Sequence, residues 1–210
     1  MTMDETTARA FCAARVDQIA LDRLDRLAVM LAEENGRQNL VSVSSLVHVW
    51  ERHFADSLQL LDHVSRETPG LPWLDLGTGA GFPGLPIAIA NPDREVVLVE
   101  SRRKRVEWLE RVITEMGLAH CRVIGARLEL VESFPAGQIS ARAFAPLDKL
   151  LRLSARFSTP STTWLLPKGR SAAKELSAEA QTIQAMFHVE QSATDAEAGI
   201  LVGMGVPQLS

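Results

Sequence analysis

Long apolar runs are missing from this 210-residue chain. No stretch approaches the roughly 18 residues that a membrane span needs. Met1 to Ala14 mixes charged and small residues, without the continuous apolar core of a secretory signal. A cytoplasmic location and no membrane partner are therefore expected. Cysteine is scarce: Cys12 and Cys121 have no ligand spacing with each other or with a histidine pair, so neither a metal site nor a disulfide framework is expected. There is no internal repeat and no low-complexity block. Positive charge is not in excess either. A net charge of -4 weighs against a broad nucleic-acid footprint but leaves room for a local basic patch. What remains is ordinary for a globular chain, 46% hydrophobic and 23% charged, sized for one domain plus an extension.

Residues 5–64 carry no strand signal. Val16, Ile19, Ala20, Leu24, Leu27, Ala28 and Leu31 recur at three- and four-residue steps, the mark of one apolar helical face, and Gly36 can stop that helix. Ser44 or Ser45 can cap a second helix carrying Trp50, Phe54 and Leu58. Residues 1–66 read as a helical cap and 67–210 as the main unit. From Pro69 onward, short apolar runs at 72–76, 95–100, 121–125, 139–144 and 162–166 alternate with helical segments. That order predicts an α/β fold with a parallel sheet covered on both faces. Two closing strands near 187–189 and 200–203 predict a terminal antiparallel hairpin.

The densest chemical information lies in Trp73–Gly84, a buried strand ending in a glycine-rich turn and a helix. Gly77 lets the chain leave the strand sharply, and Gly79 keeps the backbone bare where a ligand approaches. Dinucleotide sites favour G-x-G-x-x-G with a pyrophosphate at the helix start. Here the spacing is G-x-G-x-G, with Asp75 two residues before the first glycine. A carboxylate there opposes a pyrophosphate and suits an ammonium. A second strand, Val96–Val99, ends in Glu100, which can take two ribose hydroxyls. Adenosine plus an amino-acid tail without phosphate describes S-adenosyl-L-methionine. Three other readings stay open on these residues: a methyltransferase for a small molecule or protein, a cofactor-binding assembly factor without catalysis, and a dehydrogenase.

Further elements narrow the choice. They are Arg52-His53-Phe54-Ala55-Asp56-Ser57, the Asp75–Gly84 turn, Leu98-Val99-Glu100-Ser101, Ala126-Arg127-Leu128-Glu129, Arg142-Ala143-Phe144-Ala145 and Leu166-Pro167-Lys168-Gly169. In this order the chain resembles the small-subunit ribosomal RNA methyltransferase G family over roughly residues 30 to 170. It departs at Glu34, where the family often has tryptophan, and at Val41, where it has threonine. The resemblance implies a Rossmann-like class I S-adenosylmethionine-dependent methyltransferase fold, with a seven-stranded, mostly parallel sheet. It implies methylation of guanine N7 in the decoding-region loop of 16S rRNA, on free rRNA or a small-subunit precursor, by a monomer. Carried over by motif, Gly77, Phe82, Leu128, Glu129 and Arg142 match the family's cofactor contacts.

Guanine N7 has an exposed lone pair and no proton to lose, so no catalytic base is expected. Arg142 and Lys168 are candidate cations positioning the base. Asp75 is assigned to the amino-acid end of the cofactor and Glu100 to its ribose. Arg102-Arg103-Lys104-Arg105 reads either as an RNA-backbone contact or as a solvated helix start paired to Glu107 and Glu110. Arg9, Arg15, Arg37 and Arg52 are a candidate second patch. Trp108 is expected to be partly exposed.

Overall fold

The computed structural model describes residues 3–64 and 70–209. The boundary expected at 66/67 lies outside the described residues. Seven strands form one sheet in the order β3-β2-β1-β4-β5-β7-β6. These are β1 (Trp73–Leu76), β2 (Val96–Val99), β3 (Cys121–Ile124), β4 (Gln138–Ser140), β5 (Thr163–Gly169), β6 (Phe187–Gln191) and β7 (Gly199–Met204). The first five run parallel, and β7 pairs antiparallel with both β5 and β6. The predicted α/β sheet and closing hairpin are both present.

Helices cover both faces: α1 (Glu5–Ala13), α2 (Gln18–Asn35), α3 (Val43–Val47), α4 (Asp56–Leu58), α5 (Gly84–Ala90), α6 (Arg103–Met116), α7 (Leu147–Ser154), α8 (Ala172–Ser177) and α9 (Gln181–Met186). A π-helical turn, Trp50–Ala55, runs into α4. Side-chain alternation along the strands divides the core. Trp73, Val96 and Leu98 face the side holding α5, α6 and the N-terminal helices. Leu74, Leu76, Val97 and Val99 face the side holding α7. The N-terminal helices thus share one core with a face of the sheet.

Local chemistry explains the helix limits. Asp17 accepts from Ala20 N–H at 2.8 Å, so α2 starts at Gln18, and Val16 stays outside it. Ile19 then falls in the first turn, 65% exposed, whereas Ala20, Leu24, Leu27 and Leu31 carry the buried stripe. The cap of α3 is Ser42, whose hydroxyl accepts from Ser45 N–H, not Ser44 or Ser45 as expected. The fourth strand ends at Ser140, earlier than expected, and between β3 and β4 the chain makes a 3-10 turn, Leu128–Leu130. Glu34, at the position where the family often has tryptophan, is buried and pairs with Arg111 of α6 at 2.5 Å. Trp108 is 1% exposed, not partly open, because its indole N–H donates to Ala80 O and fastens α6 to the glycine turn.

We propose that the helical segment and the sheet unfold as one unit. Leu24→Ala, which empties a fully buried site, should cost about 2–5 kcal/mol. Urea unfolding followed by both tryptophan fluorescence and far-UV dichroism should give coincident transitions.

Candidate cofactor and substrate site

The first parallel strand delivers the glycine turn to the carboxyl edge of the sheet, where open α/β sheets bind ligands. Gly77 and Gly79 have φ of 59° and 61°. At Gly77 a Cβ would lie 2.4 Å from the Phe144 ring. At Gly79 the nearest atom to a Cβ is Arg105 Nη1 at 3.4 Å, so the backbone there is bare on its open side.

Asp75 is not where its assignment to a ligand's ammonium needs it. Its carboxyl is 0% exposed. One oxygen accepts from Gly84 N–H at 3.0 Å and the other from the Ser140 hydroxyl at 2.7 Å. Ser140 in turn accepts from the Trp73 indole at 2.8 Å. The strand alternation that points Trp73 toward α5 points Asp75 the same way, beneath the turn. Burial pushes its carboxyl up to about 6, against the lowering effect of its hydrogen bonds.

Glu100 is also largely enclosed. It accepts from Ser101 and Arg102 N–H at 2.7 and 2.8 Å and from Gly79 N–H at 3.1 Å, which ties the first two strand tips together. It still borders a cavity of about 210 Å³ with Gly77, Leu128, Glu129, Phe144 and Lys149. Leu128 gives that cavity a buried apolar wall, and Glu129 stands at its exposed side.

Phe144 and Ala145 also line a larger cavity of about 930 Å³. Arg142, His53, Asp56 and Lys168 line it. Arg142 and Phe144 flank Ala143, whose φ of 52° is the one positive value outside glycine among the described residues. Such a conformation costs about 1–3 kcal/mol and is held only by its surroundings.

The two candidate positioning cations do not project freely. Arg142 donates to Arg52 O at 2.9 Å and Asp56 at 3.1 Å, contacts His53 Nδ1 at 3.0 Å, and lies 5.3 Å above the Phe82 ring. Lys168 is 8% exposed, paired with Glu175 at 2.9 Å and donating to Ala145 O at 3.0 Å. Each charge is balanced internally, so neither is a free rim cation. Phe82 is buried and stacks on His53, with ring centroids 4.6 Å apart.

A guanidinium cannot accept a hydrogen bond, so His53 Nδ1 is unprotonated and Nε2–H donates to Ser45 Oγ at 3.1 Å. Burial, with Arg142 and Arg52 nearby, lowers this imidazole to about 3. His53 and Asp56 lie in the Arg52–Ser57 element, but nothing local in that element marks them as the support of Arg142. The hidden link was the 86-residue separation between Asp56 and Arg142.

The profile of the family described as rRNA small subunit methyltransferase G matches residues 20–200. The chain belongs to that family. A protein named ribosomal RNA small subunit methyltransferase G from Erythrobacter litoralis is 62% identical over 205 residues, covering 98% of each chain. Its namesake in Novosphingobium aromaticivorans is 59% identical over 189 residues, 90% of this chain and 82% of the other. Among solved structures, a SAM-dependent methyltransferase from Aquifex aeolicus superposes with a TM-score of 0.55 at 16% identity, covering 72% of this chain and 90% of the other. The 16S rRNA methyltransferase KamB gives 0.51 at 18% identity, covering 71% and 92%. At these identities the structural likeness is one of fold.

In this member of the methyltransferase G family the basic run divides. Arg103 pairs with Glu107 at 3.0 Å and Arg105 lies 3.8 Å from Glu100. The side chains of Arg102 and Lys104 form no ion pair among the described residues. In the expected second patch, Arg9, Arg15 and Arg37 are bound to Asp25, Asp62 and Glu34. Arg52 alone of that set has no ion pair among the described residues. No described helix is long and apolar enough to cross a membrane.

Two pH effects follow. Asp75 has its folded value raised from 3.8 to about 6, so the native state holds the extra proton between those values. Stability contributed by this group is present at pH 4 and is lost as pH rises through 6, by about 3 kcal/mol at most. The stability difference between wild type and Asp75→Asn, from urea unfolding at pH 4 and 7, should shrink by that order. His53 should remain the neutral Nε2–H tautomer from pH 5 to 8 in 15N imidazole spectra.

Proposed function

We propose that this chain transfers the methyl group of S-adenosyl-L-methionine to N7 of a guanine in the decoding-region loop of 16S rRNA. The observation that carries the reading is a pair of adjoining cavities sharing the Phe144–Ala145 wall at the tips of the parallel strands. The smaller one, with Glu100 at its edge, suits the ribose and adenine. Leu128 supplies an apolar face for the adenine, and Glu129 is placed for its amino group. Bare peptide at Gly79 leaves a path for the methionine end. Asp75 acts from below, by fixing the turn. The larger cavity is roomy enough for an unstacked guanine. Family membership and the named relatives support the rRNA substrate.

The cofactor supplies an electrophilic methyl on a sulfonium. The protein has no proton to remove from N7, so its task is alignment, which is worth up to about 7–11 kcal/mol in ideal cases. Arg142 is a positioning residue in this scheme. Its guanidinium is held by Asp56, His53 and the Arg52 carbonyl and caps the Phe82 face. Lys168, locked to Glu175, braces the Ala145 segment of the shared wall. Transfer leaves the total charge unchanged, because the cation moves from sulfur to the methylated base. A strong new counter-charge is therefore unnecessary, in keeping with internally balanced Arg142 and Lys168.

Ribosomal RNA from cells lacking this protein should accept one methyl group from labelled S-adenosylmethionine in its presence. N7-sensitive strand cleavage should map it to the decoding-region loop. Absence of a new cleavage site refutes the reaction. Gly79→Val should reduce cofactor affinity by at least about tenfold in calorimetry while the far-UV spectrum stays native, since it both strains the backbone and fills the bare path.

A further inference from the structure

Arg52 borders a third cavity, of about 580 Å³, between the start of α1 and the segment running from Ser42 to the π-helical turn. Three of its lining residues, Glu5, His48 and Glu51, each place one ligand-type atom within 4.8 Å of the others. They come from two separate pieces of chain. His48 and Glu51 lie three residues apart, and Glu5 reaches across from α1. The lining also includes Asp4, whose carboxylate caps α1.

Glu51 is the decisive member. The residue lines the cavity, is only 7% exposed, and its carboxylate makes no hydrogen bond or ion pair among the described residues. A carboxylate so largely enclosed, open only toward the cavity and without a partner of its own, favours a compensating charge there. Glu5 is already fixed in place. It accepts from the N–H groups of Trp50 and Glu51 at 3.1 and 2.8 Å, which leaves each oxygen with capacity for a further partner.

We propose that Glu5, His48 and Glu51 bind a divalent transition-metal ion of the zinc type. One imidazole and two carboxylates suit such an ion better than magnesium or calcium, which favour all-oxygen shells of six or more ligands. Ligation at about 2.0–2.2 Å needs the three atoms to draw in to roughly 3.3 Å apart, within reach of side-chain rotation at His48 and Glu51. The ion ties α1 to the π-helical turn. That turn supplies the Arg52 carbonyl and His53, which hold Arg142. The site is therefore a structural clamp beside the large cavity, and it makes no use of the methyl-transfer reading.

Full-length protein stripped with a chelator should bind one Zn²⁺ per chain with micromolar or tighter affinity in isothermal titration, and saturating Zn²⁺ should raise Tm. Co²⁺ in place of Zn²⁺ should show the visible bands of a four- or five-coordinate site. His48→Gln and Glu51→Gln should each weaken binding at least about tenfold, with folding checked by circular dichroism, while His188→Gln leaves it unchanged. If a variant fails to fold, imidazole 15N spectra of the wild type read the same site: Zn²⁺ must shift one histidine and leave His53 and His188 in place. No saturation by about 1 mM Zn²⁺, wild-type affinity in both site variants, or shifts confined to other histidines overturns the proposal.

Discussion

The Asp75 carboxyl is the point on which the site depends. It is closed off from solvent, and it joins three elements at once: its own strand, the start of α5 through Gly84, and β4 through Ser140. The Trp73 indole completes the chain from the other side of Ser140. The glycine turn is therefore held from below by an acceptor that has nowhere else to find donors. An unmade hydrogen bond in that place would leave a buried polar group uncompensated, at about 1–3 kcal/mol or more. Glu100 does the complementary work from above, joining Gly79 to the start of α6. Between them the two carboxylates clamp the turn from both faces.

The larger cavity follows a similar logic with different parts. Arg142 leaves the end of β4 and is caught by groups that all belong to the helical segment preceding the sheet. That catch is what brings the N-terminal helices into the site. A neutral His53, sandwiched between Arg142 and Ser45 and stacked on Phe82, fits only because its basicity is suppressed by its surroundings. Membership of the rRNA methyltransferase G family accounts for the shared sheet, and the contacts around Arg142 give this helical segment its connection to it.

Much of the sheet could be read from the chain because its signals are local. The strands β1 and β2 are short, largely apolar runs buried on both faces, and the turn after β1 carries its own glycines. The turn glycines Gly77 and Gly79 and the strand-ending Glu100 carry local signals of the same kind. What escaped was set by distant partners. Asp75 looks like a ligand carboxylate in sequence, and only the packing of Trp73 and Ser140 around it shows that it points inward. Arg142 looks like a free cation until Asp56 arrives from 86 residues away, and Lys168 does so until α8 folds Glu175 back onto it. Ile19 lies inside α2 but off the stripe of Ala20, Leu24, Leu27 and Leu31, and stays exposed. Trp108 neighbours charged residues in sequence and is nonetheless drawn inward by Ala80 O.

The strand Trp73–Leu76 has no exposed residue anywhere along it. Nothing on it can be altered from the outside, and every replacement there must be accommodated by whichever of the two cores it faces. Adaptation of this scaffold to another acceptor is thus confined to the segments beyond the strand tips, chiefly those around Ala143 and Leu128, where a change in reach or shape leaves the frame undisturbed.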